Sequence, residues 1–110
     1  MIWLACLSTA LASDFSFAVL GDTQGGADGS AINRDTLPQL VEDINAHAPD
    51  VLVVTGGLVA GSDSLEIQVA QWEEFAAVVA DFSGELMVLP GTSDLLAGAG
   101  SFEAWRAVFD

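Results

Sequence analysis

Short apolar runs alternate along the chain with longer stretches in which apolar residues recur at helical spacing. Phe15 to Leu20 (FSFAVL) is the first run; Gly21 stops it, and it reads as a strand. In NRDTLPQLVEDINAHAPD, residues Leu37, Leu40, Val41, Ile44 and Ala48 share one helical face. Pro38 suits the first turn of that helix, where a missing N–H costs little, and Pro49 marks its end. Asp50 to Thr55 (DVLVVT) is the second strand. Its apolar run is continuous, not alternating, which predicts a strand covered on both faces. A second helix is expected over Leu65 to Phe82, with Trp72, Phe75, Ala76, Val79 and Phe82 on its inner face. Ser62, Asp63 and Ser64 all offer N-cap chemistry before it. Glu85 to Leu89 (ELMVL) is the third strand, and Ser101 is placed to cap a last helix carrying Phe102, Trp105, Val108 and Phe109. Strand–helix alternation of this kind predicts an α/β fold, a parallel sheet of about three strands with helices packed on it. Its crossovers should be right-handed. There is no internal repeat and no low-complexity linker. So small a sheet has open edges, and the chain reads as the front part of a larger domain.

Composition narrows the partners. Hydrophobic residues are 52% of the 110, enough to bury a core. The formal charge is -14, from 16 Asp and Glu against two cations, Arg34 and Arg106. Nucleic-acid and anionic-membrane binding both need cations, so neither is expected. The same charge opposes a phosphate substrate unless metal ions offset it; its plainest role is solubility. Cys6 is the sole cysteine, so neither an internal disulfide nor a cysteine metal cluster can form. The opening segment MIWLACLSTALAS is apolar and ends in the small-x-small pattern Ala10-Leu11-Ala12. It reads as an export signal over residues 1–12, although no basic residue precedes it. The partial domain then spans 13–110 in a periplasmic or extracellular protein. The other reading is a buried apolar N-terminal segment. It is too short to span a membrane as a helix.

Three loops follow the strands: GDTQGG, GGLVAGS and PGTSD. In an open parallel sheet these lie along one edge, where such folds bind ligands. That places Asp22, Gln24, Gly57, Thr92, Ser93 and Asp94 on one crest. The segments VLGDTQ, VVTGGLVAGS and VLPGTSD, with the later AWRAVF, resemble calcineurin-like metallophosphoesterases. Those enzymes follow three successive strands with GDxH, GDxxD and GNH[DE]. The resemblance runs from Phe15 to Asp110. It implies the N-terminal part of a metallophosphoesterase sandwich and a hydrolase acting on a small phosphoester. It also implies a pair of divalent metal ions (Mn, Fe, Zn or Mg) whose bound hydroxide attacks phosphorus.

Carried over position by position, Asp22 matches the first metal ligand and Asp94 the final acidic position. Gln24 stands where His is usual; its amide oxygen suits a hard cation better than a transition metal. Gly57 stands in place of the bridging Asp, Thr92 in place of Asn, and Ser93 in place of the His that assists the leaving group. The candidate metal ligands are therefore Asp22, Gln24 and Asp94, with no catalytic residue assigned. The family's further histidines lie downstream of the matched segments, and the sole His47 sits on the first helix. An incomplete or catalytically impaired phosphoesterase is the expectation.

Plainer roles stand beside these. Asp22 and Asp94 can make turn hydrogen bonds, Gln24 can be a loop hydrogen-bonder, and Asp28 and Asp63 read as solvated loop acids. Thr92 and Ser93 have no well-placed base to make them nucleophiles, and Trp72 and Trp105 read as core. Two alternatives follow. One is a non-catalytic binding or structural module that keeps the sheet without the metals. The other is an unrelated small nucleotide-binding α/β domain such as a flavodoxin-like one, although GxGxxG is lacking. Apolar surface left on an open sheet would favour association; the sequence does not specify an oligomeric state.

Overall fold

The computed structural model describes residues 14–25 and 28–110. The expected export signal and Cys6 lie outside the described residues. Three parallel strands form the sheet: β1 (Phe17–Leu20), β2 (Val51–Val54) and β3 (Glu85–Val88), in the order β1-β2-β3. Helix α1 (Leu37–His47) links the first pair, α2 (Leu65–Val79) links the second, and α3 (Ser101–Phe109) follows β3. The expected α/β architecture is present.

The register explains which residues enter the core. Ala18 pairs with Leu52 and Leu52 with Leu86; Leu20 pairs with Val54 and Val54 with Val88. These two rows point towards the helices, and Leu52 and Val54 are fully buried. Against them pack Leu37 and Val41 of α1, Trp72, Phe75 and Val79 of α2, and Trp105 of α3. The aromatic rings interlock: Trp72 meets Trp105 edge-on at 5.6 Å between centroids, and Phe109 lies 4.2 Å from Trp105. Edge-on pairs bring the positive rim of one ring to the negative face of the other.

The alternate rows are bare. Phe17, Val51 and Glu85 form one, and Val19, Val53 and Met87 the next. Phe17 and Val19 are exposed, and Val51 and Val53 are only half-buried. The expectation that β2 is covered on both faces is therefore corrected. Topology gives the reason. Both crossovers advance the same way across the sheet, and crossovers of one hand then put both helices on one face. The continuous apolar run of β2 reflects a second face that is apolar without being covered by any described residue.

Smaller differences concern ends. α2 stops at Val79, and Phe82 enters the core from the following turn instead. Ala48 leaves the α1 face as a left-handed C-cap with φ 48°. Ser101 is the first residue of α3, after the left-handed Gly100, and is not its cap. Of the apolar residues on α3, Trp105 is buried and Phe102 is exposed. Among the described residues no helix is long and apolar enough to cross a membrane.

Candidate functional site

The loops after the three strands do meet at one edge, and they meet through backbone. The Asp22 N–H donates to the Gly56 carbonyl (3.2 Å), and the Gln24 N–H donates to Gly57 (2.9 Å). Between them the buried Thr23 hydroxyl donates to the Leu58 carbonyl (3.0 Å). The second and third loops touch even more closely. A Cβ on Gly56 would stand 2.9 Å from both Cα and N of Gly91, and φ at Gly56 is +98°. Only glycine fits such an approach and such a dihedral. The strand order β1-β2-β3 does not reverse, so the described strands form no topological switch point.

Asp22 itself adopts φ 53°, the left-handed region that Asp enters more readily than most residues. This turns its carboxylate towards the second loop. A Cβ built on Gly57 would lie 2.8 Å from Asp22 Oδ1 and 2.6 Å from Gln24 Oε1. Two of the three candidate ligands thus converge on the position where a side chain of residue 57 would begin.

The third does not join them. Asp94 is fully buried under the crest. Its Oδ1 accepts the N–H groups of Leu58 (2.9 Å) and Val59 (3.1 Å), and its Oδ2 accepts that of Gly91 (2.7 Å). Burial pushes this carboxyl above its ordinary pKa, while the amides of Gly91, Val59, Leu58 and Gly57 pull the other way. Asp94 pins the second loop to the third; its oxygens are spent on backbone. The turn hydrogen-bonding weighed for it from the sequence is what the structure shows.

The remaining candidates are scattered. Thr92 is exposed and Ser93 half-buried, at the start of a short 3-10 turn, Ser93–Leu95. His47 ends α1 at the opposite edge of the sheet, its Nδ1 2.9 Å from the Asp43 carbonyl. Asp28 accepts both the N–H and the hydroxyl of Ser30, which hold its pKa below the usual carboxylate value. Sequence reasoning missed the supports on α2. Gln71 Oε1 accepts the Gly61 N–H (2.8 Å), Gln68 Oε1 accepts the Ser62 N–H (3.0 Å), and Trp72 Nε1 donates to the Asp94 carbonyl (3.1 Å). The available signal was a glutamine at each of two positions one helical turn apart, beside the inner face of an otherwise apolar helix.

A dinuclear metal centre does not fit these residues. Close cations need a carboxylate between them. Gly57 supplies none, Asp94 is committed, and no group of three or more His, Cys, Asp or Glu comes together among the described residues. No protein-family model and no curated protein matches the chain. The crest offers one carboxylate and one amide oxygen around a glycine, a pair with oxygen-donor character and too few ligands for a tight site.

Proposed function

We propose that this chain is a catalytically impaired member of the metallophosphoesterase type, one that keeps the loop frame of a phosphoester hydrolase without its two-metal chemistry. The observation that carries the proposal is the convergence of Asp22 Oδ1 and Gln24 Oε1 on the side-chain position of Gly57. That is the geometry expected if a bridging ligand once stood at residue 57. Asp94 supports it from the opposite side, because its role at the crest is structural. A non-catalytic binding or structural module is the alternative, favoured by the apolar rows left bare on the sheet.

Calorimetry with Mn²⁺, Zn²⁺, Mg²⁺ and Ca²⁺, paired with hydrolysis of an aryl phosphate, tests the proposal. The expected result is weak binding at best, with affinity no tighter than about 1 mM for any ion, and no turnover. Stoichiometric, tight binding with turnover, both abolished by Asp22→Ala, would overturn it.

A further inference from the structure

The charge of the chain is distributed in a way that neither the crest nor the core accounts for. All 16 Asp and Glu residues fall among the described residues. Asp94 is buried and Glu74 is half-buried; the other 14 are exposed. Against them stand two cations, and both are taken: Arg34 bonds Glu74, and Arg106 bonds Asp110. Apart from Asp110, none of the exposed carboxylates has an ion-pair partner among the described residues. We propose that the fold is salt-dependent. In dilute buffer its own charge holds it near the edge of stability, and the counter-ions of a saline medium bring it to working strength.

Folding concentrates these charges. A chain of this length contracts from a coil of about 30 Å radius of gyration to a body of about 13 Å, so like charges that were far apart become neighbours. Helix α1 exposes Glu42 and Asp43, and α2 exposes Glu66 and Glu73. Glu66 and Glu73 are seven residues apart on one face of α2, about 10 Å along its axis. Nothing of opposite sign interrupts them. The chain has no lysine, and exposed helix positions such as Ala46, Ala70 and Ala77 hold alanine. These four carboxylates sit on helices that cover one side of the sheet, so a layer packed on the bare side would not neutralise them.

The screening length sets the scale of the effect. It is about 30 Å at 0.01 M salt, wider than the spacing of the helices, and about 3 Å at 1 M, well short of the gap between Glu66 and Glu73. In dilute buffer each carboxylate therefore repels nearly all the others, and in strong salt almost none. The two exposed ion pairs weaken over the same range, but each is a single surface pair and opposes the trend only slightly.

Thermal unfolding of the full chain, followed by circular dichroism in KCl from about 0.01 M to about 1 M, is the test. The melting temperature should rise by at least about 10 °C, with more than half of the rise below about 0.3 M, because the screening length falls with the square root of salt. The variant Glu42→Gln, Asp43→Asn, Glu66→Gln, Glu73→Gln neutralises exposed carboxylates only. It should melt above the parent at about 0.01 M KCl and show a rise smaller by about a third or more. A smaller rise in the parent overturns the proposal. So does a rise that is linear in salt and equal in parent and variant, which would be salting-out of apolar surface. A rise given by millimolar Ca²⁺ or Mg²⁺ and not by KCl also overturns it, since that would be ion binding at a site. The shape of the KCl series is read on the parent chain, so the proposal stays testable if the variant fails to fold.

Discussion

Replacing Asp94 with alanine removes the acceptor for three backbone N–H groups at once. Leu58 and Val59 are fully buried, so their amides have no route to water, and Gly91 is partly buried. Leaving a buried donor unsatisfied costs about 1–3 kcal/mol, which sums to about 3–6 kcal/mol when two donors are fully shielded and one partly so. Removing a buried charge gives some of this back, since burial already disfavours the ionised carboxyl. A net loss of about 2–5 kcal/mol remains. A small domain has about 5–15 kcal/mol in total. Urea unfolding followed by tryptophan fluorescence is a suitable assay, because Trp72 and Trp105 are both buried. Trp72 also donates to the Asp94 backbone, which the substitution leaves in place. The melting temperature should drop by about 10 °C or more. Asp94→Asn keeps one acceptor oxygen but turns an NH₂ towards a donor, so it should fall between parent and alanine variant. A loss under about 1 kcal/mol for Asp94→Ala would refute the reasoning, because the three amides would then have other partners.

Other consequences follow from the same loops. Gly56→Ala should cost more than Gly57→Ala in denaturant unfolding: the first Cβ meets the Gly91 backbone, whereas the second mainly meets side-chain ends that can swing away. Expected losses are about 3 kcal/mol or more against about 1–2 kcal/mol. On acidification, the raised Asp94 carboxyl adds stability that is complete below its unfolded pKa of about 3.9 and is lost as pH rises through its higher folded value. The gap in melting temperature between parent and Asp94→Asn should therefore change across that window and be flat above it. The triple variant Gly57→Asp, Thr92→Asn, Ser93→His should show no metal-dependent hydrolysis of an aryl phosphate, since Asp94 stays bound to backbone and no further metal-binding group lies nearby among the described residues.

Periodicity made the elements legible. A run such as VLVV between Pro49 and the glycine pair can be little other than a strand, and the Trp72–Phe75–Val79 spacing fixes the inner face of α2. The meeting of the loops that carry Asp22, Gln24 and Gly57 at one crest was legible too, because loops after parallel strands share an edge; the approach of the Asp22 and Gln24 oxygens to residue 57 depends on the left-handed turn at Asp22, which the sequence does not show. Coverage of the second sheet face was not. An apolar run shows that a residue tolerates burial, while what buries it depends on the direction of the crossovers. Asp94 hid its role for a related reason. A carboxylate in a loop after a strand reads alike whether it faces solvent or backbone amides; only the depth of the loop decides, and the glycine contacts between loops set that depth.

The link from Asp94 to Leu58 and Val59 also imposes an order in time. The donors and their acceptor are 36 and 35 residues apart. At about 5–20 residues per second, a ribosome delivers β2 and its loop about 2–7 s before the carboxylate that completes them. During that interval the two amides must be hydrated, so the second loop cannot take its final dry form. β1, α1 and β2 can pair early, but their crest waits for the third strand. Translation pauses within α2 would prolong the wait, and pauses after residue 94 has emerged would not.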